Sequence, residues 1–187
     1  MKVEKLGFTS LRQERFNICL KYVQGRVLDI GCSSNQFIQI YKNKSRTDSL
    51  GVDTYKWEGA DIVCDTTKLP FKNNTFDTVT IIASLNHIPK REKVLKEAYR
   101  VLRPNGHILV TMINPIISRI SHTIVRKRFD FDQKGRGKMK KGEVFGFWPK
   151  EVISYLSCTG FREIKKIPFI YGLNNLYIGK KPENRKD

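Results

Sequence analysis

Short apolar runs that alternate with helical patterns constrain the fold of this chain more than any other sequence feature. Five runs lie at residues 26–31, 49–53, 60–65, 75–84 and 107–113. Alternation of this kind predicts a doubly wound α/β fold, with a parallel sheet and helices on both faces. Two later runs, 161–170 and 176–180, are joined by a turn too short for a parallel crossover, so this pair must be antiparallel. We therefore expect a mostly parallel seven-stranded sheet with an antiparallel C-terminal strand.

The apolar periodicity also predicts helices, over residues 10–22, 34–42, 89–102 and 149–159. Ser10 is a suitable N-cap for the first helix. Pro89 suits the first turn of the third, because a proline there gives up no helical hydrogen bond. We expect Asn105-Gly106 to end that helix and to turn the chain into the fifth strand.

A length of 187 residues fits one domain. We expect a single domain over 1–187 with four parts. They are an N-terminal helix (1–25), a ligand-binding core (26–113), a basic lid or substrate insertion (114–148), and a C-terminal helix with a strand pair (149–180).

The cysteines argue against a metal or disulfide scaffold. Cys19, Cys32, Cys64 and Cys158 show no C-x-x-C spacing, so we expect no metal site and no disulfide framework. Reduced thiols fit a cytoplasmic protein. The first sixteen residues hold no apolar run, so we expect no signal peptide, and no apolar stretch is long enough to span a membrane.

The net charge is +17, from 35 Lys and Arg against 18 Asp and Glu. Such a surplus attracts nucleic acid, anionic membranes or phosphorylated substrates, although it can also serve solubility alone. Residues 29–118 hold twelve basic and nine acidic residues, or +3, whereas residues 119–151 hold ten and four, or +6. The surplus is therefore densest in the expected lid.

Polar residues follow the expected strands, where ligands bind in an open α/β sheet. Asp29 precedes the small-residue turn at Gly31, and Asp53 stands 22 positions after that glycine. The third run ends in Asp65 and the fourth in Ser84. One acid at a strand end often caps the next helix. Three acids that close three consecutive strands, at the edge where ligands bind, favour a ligand site instead.

The motifs in this core resemble those of the class I S-adenosylmethionine-dependent methyltransferases, and more narrowly of their methyltransferase 11-like group. The resemblance is close from Arg26 to Met112 and weaker from Trp148 to Lys180. It implies a Rossmann-like fold and S-adenosylmethionine as cofactor. The motifs read, in chain order, VLDIGCSSN (27–35), GVD (51–53), DTTKLPF (65–71), FDTV (76–79), LNH (85–87) and EAYRVLRPNG (97–106).

The resemblance implies a role for each strand-end residue. Asp29 and the Gly31 loop, with Cys32 and Ser33, would hold the methionine portion of the cofactor. The ribose would bind at Asp53, next to Thr54. The adenine would meet Asp65 and Thr66, and Ser84 would lie along the cofactor near its methyl group. Asp77 and Arg100 would be structural residues.

The glycine pattern departs from that of the family. Ser33 and Asn35 stand where the family has its second and third glycines. Serine is small and asparagine tolerates left-handed backbone, so the turn can still form. A nicotinamide-dependent enzyme is the rival on fold, but its G-x-G-x-x-G fingerprint is absent, since Gly31 is the one glycine in 31–36.

His87 is the candidate general base, because it follows the fourth strand, where the substrate should lie. The alternative is a histidine that only lines the pocket.

The basic flank also leaves alternatives open. Ile116, Ile117, Ile120 and Ile124 recur at helical spacing among basic residues. The segment could be a lid with solvated lysines, or it could bind a small anion such as a sugar phosphate or a lipid-linked glycan. It could also bind an anionic membrane or RNA.

We expect an enzyme that methylates a small or lipid-linked, anionic metabolite. The alternatives are an RNA methyltransferase and a non-catalytic module that binds S-adenosylmethionine or RNA.

Overall fold

Seven strands form one sheet in the computed structural model, which describes residues 10–119 and 141–183. The strands are β1 (Val27–Ile30), β2 (Leu50–Asp53), β3 (Ile62–Val63), β4 (Phe76–Ile82), β5 (Leu102–Ile113), β6 (Arg162–Phe169) and β7 (Asn174–Lys180). The helices are α1 (Leu11–Leu20), α2 (Gln36–Ser45), α3 (Arg91–Val101) and α4 (Pro149–Thr159). A 3-10 turn covers Leu85–His87, and residues 115–119 are also helical.

The strand order is β3-β2-β1-β4-β5-β7-β6. Strands β1 to β5 pair in parallel, whereas β7 is antiparallel to both of its neighbours. The predicted fold, with its antiparallel C-terminal strand, is confirmed. Chain order reverses direction across the sheet between β1 and β4, and ligands bind at such a switch point in this class of fold.

The centre of the sheet is buried on both faces, which is why β1 has no polar alternation. Leu28 and Ile30 belong to an apolar cluster with α3 and α4. Val27 points the other way, into a cluster with Phe16 of α1 and Phe37 of α2. A strand covered by helices on both sides must be apolar almost throughout, so a polar residue such as Asp29 within it calls for a specific role.

Helix α2 and strand β3 differ from their predicted bounds for local structural reasons. Helix α2 begins at Gln36, two residues later than predicted, because Ser33 and Asn35 are in left-handed conformations with φ of 50° and 58°. Strand β3 is two residues long where six were predicted. It is an edge strand, and next to it the Asp61 carboxylate, not a strand carbonyl, accepts the N–H of Gly51.

Two further predictions about α3 were wrong. Pro89 lies before the helix, whose N-cap is Lys90, because the 3-10 turn and the extended Ile88 occupy the preceding residues. Asn105-Gly106 does not end α3 either. The helix ends at Val101, and β5 begins at once. Asn105 instead lies in an irregular part of β5, where the register against β4 shifts.

A buried lysine fastens the end of the sheet to α3. The Lys181 ammonium donates to the carbonyls of Leu102 and Tyr99 at 2.7 and 2.9 Å. Those carbonyls lie at the C-terminus of α3, where a cation is favoured by the helix dipole. Across residues 10–119 and 141–183, none of the helices is both long and apolar enough to cross a bilayer.

Candidate active site

The ends of β1, β2 and β4 converge on the turn at Gly31. The backbone N–H groups of Gly31 and Cys32 donate to the Val52 carbonyl at 2.9 and 3.1 Å. Gly31 has φ of +77°, and a Cβ at this position would lie 2.7 Å from the side chain of Ser84. Only glycine fits there, because both the conformation and the space exclude a side chain. The Ser84 hydroxyl donates to the Ile30 carbonyl at 3.0 Å, so it fastens the end of β4 to β1.

Asp53, at the end of β2, holds the turn in place. Its Oδ2 accepts the N–H of Ser33 at 3.0 Å, and its Oδ1 accepts the N–H of Tyr55 at the same distance. The side chain is 6% exposed. A carboxylate offers about four acceptor sites, so these two bonds are compatible with a ligand diol at the same group.

Asp29 is the buried acid beneath the turn. Its Oδ1 accepts a 2.7 Å hydrogen bond from the Thr80 hydroxyl. Burial raises the pKa of Asp29 to about 7, the nearby Asp53 charge adds to the rise, and the Thr80 bond opposes it. A buried carboxyl with such a pKa favours a cationic ligand group that would stabilise its ionised form.

The two departures from the glycine pattern have different structures. At Ser33 the backbone N–H makes the contact with Asp53. At Asn35 the side chain makes the contacts. Its Nδ2 donates to the Gly59 carbonyl at 2.9 Å and to Asp61 Oδ2 at 2.8 Å. Asn35 therefore joins the turn after β1 to the loop before β3, and glycine could not do this.

Asp65 and Thr66 lie at the open side of the same edge. Asp65 is exposed, and its Oδ1 accepts both the N–H and the hydroxyl of Thr67 at 2.9 and 2.7 Å. These bonds lower the pKa of Asp65, so the group is an anion. Thr66 is buried and Thr54 is exposed beside Asp53. The Cys32 thiol is buried, and burial raises its pKa.

Asp77 and Arg100 make structural contacts away from this turn. The Asp77 carboxylate accepts the N–H of Arg26 and a guanidinium N–H of Arg103, both at 2.7 Å. Arg100 donates to the Phe71 carbonyl at 2.7 Å, and so fixes the loop that precedes β4.

His87 lies in the 3-10 turn that follows the carboxyl end of β4. Its Nδ1 is 3.6 Å from Oε2 of Glu143, and its Nε2 is 3.2 Å from Nδ2 of Asn86. Sequence reasoning missed Glu143 because it lies in a basic stretch that carries no motif. Ile116 lies in the helical residues 115–119 together with Ile117, whereas Ile120, Ile124 and residues 120–140 of the expected lid lie outside the described residues.

The residues at the turn fit S-adenosylmethionine. The buried Asp29 carboxyl, whose ionised form a cationic group would stabilise, lies beneath a turn that admits no Cβ at Gly31. The Asp53 carboxylate, whose oxygens accept hydrogen bonds, lies at the same turn. Asp29 with the Gly31 turn would hold the amino acid portion, Asp53 the ribose, and Asp65 with Thr66 the adenine.

Comparison with known proteins also finds methyltransferases. The sequence model of the family described as "Methyltransferase domain" matches residues 28–110. A ubiquinone/menaquinone biosynthesis C-methyltransferase of Desulfotalea psychrophila is 30% identical over 149 residues, which are 74% of this chain. A demethylmenaquinone methyltransferase of Bacillus cereus is 25% identical over 87% of the chain.

This chain spans 58% of the length of the first of these relatives and 70% of the second. Among solved structures, a methyltransferase of Thermotoga maritima described as a possible histamine N-methyltransferase is similar, with a TM-score of 0.68 at 17% identity. The match covers 91% of this chain and 89% of that one. The structural match shows a common fold.

Proposed function

The chain belongs to the class I S-adenosylmethionine-dependent methyltransferases, and on that premise we propose that it methylates a small or lipid-linked metabolite. The main support for this proposal is the hydrogen bond from the Ser33 N–H to Asp53. It joins two strand ends at the turn that we assign to the cofactor. When bound, S-adenosylmethionine supplies a methyl group already activated on a sulfonium sulfur. The protein then has to position the acceptor and manage its proton.

Calorimetry with S-adenosylmethionine and with its demethylated product tests the cofactor. We expect both to bind the folded protein. No heat with either ligand would overturn the proposal. Heat without methyl transfer to any acceptor would favour the alternative of a non-catalytic binding module.

For the acceptor we propose an aromatic quinol that carries a lipid tail. The two sequence relatives support this class, since both are named for quinone methylation and one as a C-methyltransferase. A quinol hydroxyl is a weak acid, and its deprotonation makes the ring electron-rich enough to attack an activated methyl group. Such an acceptor needs a base, which we assign to His87 at the exit of β4.

A transfer assay with a radiolabelled methyl group distinguishes the acceptors. The panel is a short-chain prenylated naphthohydroquinone, a sugar phosphate, and total RNA. We expect label in the quinol. Label in RNA alone would establish the alternative of an RNA methyltransferase, and label in the sugar phosphate would replace the quinol by another anionic metabolite.

We further propose that the carboxyl edge docks on an anionic membrane, where a lipid-linked acceptor resides. Four large apolar side chains are exposed near the end of β5: Ile116, Trp148, Tyr171 and Leu173. The Asn114 N–H binds the Leu173 carbonyl, and Gly146 abuts Ile113, so these segments are neighbours. The exposed cations Arg119 and Lys150 lie within three residues of this apolar group. Exposed apolar side chains with cations beside them suit an anionic bilayer surface.

Sedimentation with lipid vesicles tests the docking. We expect binding to phosphatidylglycerol-containing vesicles and little binding to pure phosphatidylcholine, with a loss at high salt. The double variant Tyr171→Ser/Leu173→Ser should bind less. Tyr22→Ser, at the opposite edge of the sheet, is the control. Equal binding to both vesicle types would contradict an electrostatic contribution.

We also assign the protein to the cytoplasm. All four cysteines lie in the described residues and are free thiols, which supports a reducing compartment.

A further inference from the structure

A short strap, residues 141–148, crosses the turn that follows β4. The N–H of Val144 donates to the Asn86 carbonyl at 2.9 Å, and the Asn86 side-chain Nδ2 donates to the Val144 carbonyl at 3.1 Å. The Arg91 guanidinium donates to the Gly142 carbonyl at 2.6 Å and lies over the Phe147 ring. The strap is therefore held on both sides of residue 143, by α3 at Gly142 and by the turn at Val144.

This attachment brings Glu143 beside His87. The Oε2 to Nδ1 distance is 3.6 Å, and the two side chains are only 11% and 18% exposed. The other ring nitrogen, Nε2, lies 3.2 Å from Nδ2 of Asn86. An amide nitrogen can only donate, so Nε2 must accept and the ring proton must be on Nδ1, facing the carboxylate.

We propose that Glu143 is a positioning residue for His87, an inference that rests on the proposed methylation of a hydroxyl-bearing acceptor. The carboxylate keeps the proton on Nδ1 and leaves the lone pair on Nε2. When the acceptor hydroxyl replaces the Asn86 amide at Nε2, its O–H bond breaks and the proton passes to Nε2. The electron pair stays on the acceptor oxygen, and the imidazolium is paired with the Glu143 carboxylate.

Among the described residues, the Glu143 carboxylate lies against the His87 ring. The cations nearest along the chain are Lys90 and Arg91 at the start of α3, and Arg91 is engaged by Gly142 and Phe147. Across the strap, Glu151 is engaged by the N–H of Trp148. An anion close to a mostly buried imidazole favours its protonated form, so it strengthens the ring as a base.

Nitrogen NMR of the full-length protein tests the pairing without any substrate. In the wild-type protein we expect the tautomer with a proton on Nδ1. Glu143→Gln should lower the titration midpoint of His87, because it removes a nearby opposite charge. Glu92→Gln removes the same charge from the exposed surface of α3 and should leave the midpoint unchanged.

The pH profile of methyl transfer to the prenylated naphthohydroquinone provides the second measurement. In Glu143→Gln the acidic limb should shift to lower pH, kcat should fall, and the dissociation constant of S-adenosylmethionine should stay the same. A proton on Nε2, or an unmoved His87 midpoint, would overturn the positioning role while the proposed function stands. An unmoved rate profile in an active enzyme would overturn it too. If the wild-type protein transfers no methyl group, the proposed function fails and the positioning role with it, even where the NMR pairing is observed.

Discussion

The Thr80 hydroxyl donates a 2.7 Å hydrogen bond to the Asp29 carboxyl across the β1–β4 pair. The two residues face each other in register. The bond orients a carboxyl that is buried beneath the Gly31 turn, and burial still raises its pKa to about 7. Asp29 can therefore change its charge within the physiological pH range.

Binding of S-adenosylmethionine should depend on pH through Asp29. Below pH 7 the carboxyl is mostly neutral, and the ammonium group of the ligand gains no charge pair. Affinity should therefore rise as the pH increases from 6 to 8, by up to about tenfold per pH unit below the pKa. Calorimetry at three pH values measures this. Asp29→Asn should bind weakly at every pH, and an unchanged pH dependence in that variant would contradict the assignment.

The stability of the ligand-free protein should show the opposite trend. Between pH 4 and 7 the folded protein holds a proton on Asp29 that the unfolded chain releases. The contribution of Asp29 to the free energy of unfolding is then fully present near pH 4 and is lost as the pH rises through 7. In Asp29→Asn this part of the decline should vanish. Urea unfolding at several pH values checks it, and equal slopes in both proteins would contradict it.

Asp53→Ala should weaken cofactor binding by about 1.5–3 kcal/mol, the usual value for hydrogen bonds to a charged group. The variant loses the group assigned to the ribose and also the anchor of the Ser33 N–H. Asp48→Ala is the matched control, because that carboxylate is 78% exposed and pairs with Arg26. Equal dissociation constants for the two variants would argue against the ribose site.

Restoring the two family glycines should have unequal effects. Ser33→Gly should change the free energy of unfolding by less than about 1 kcal/mol, because the backbone N–H makes the contact with Asp53. Asn35→Gly should lower it by about 1–2 kcal/mol. It loses two hydrogen bonds, one of them to the Asp61 carboxylate, and regains only part of that through relief of the left-handed backbone. Chemical denaturation of both variants provides the comparison. Greater stability of Asn35→Gly would show that the amide bonds contribute little.

Asn174 is fully buried, and neither polar atom of its side chain has a hydrogen-bond partner among the described residues. Asn174→Leu keeps the shape of the side chain and removes the unsatisfied groups, so it should stabilise the fold by about 1–3 kcal/mol. The thermal midpoint should rise by several degrees. Asn43→Leu, on the exposed face of α2, should change it much less. A lower midpoint in Asn174→Leu would mean that the amide is hydrogen-bonded in solution.

Strand positions could be predicted well because burial on both faces leaves a continuous apolar signal, as in Val27–Ile30. Turns were harder to predict because their signals are ambiguous. Asn105-Gly106 is a strong turn signal, and Asn105 does have φ of 64°. Asn105 nevertheless lies inside β5, because Lys181 pairs with this part of the strand. The Lys181 N–H donates to the Gly106 carbonyl, and the Lys181 carbonyl accepts the N–H of Asn105.

The cofactor side of the site could be predicted from spacing, since Gly31 and Asp53 follow neighbouring strands and meet at one edge. Their assignment to cofactor groups stays a prediction. The surroundings of the turn after β4 could not be predicted, because its contacts join distant segments. Asn86 and Val144 are 58 positions apart, and no periodicity in the sequence connects them.

The position of β7 between β5 and β6 has a consequence for synthesis on the ribosome. Strand β6 emerges first, but its partner is β7 and not β5. Until residues 174–180 have been made, β5 has an unpaired edge along its whole length, and β6 has no template. The nascent chain must therefore keep an open sheet edge from pairing with other chains until β7 has been made. Lys165 and Lys166 of β6 are charged and exposed. Because edge lysines oppose intermolecular strand pairing, they protect β6 before β7 has been made.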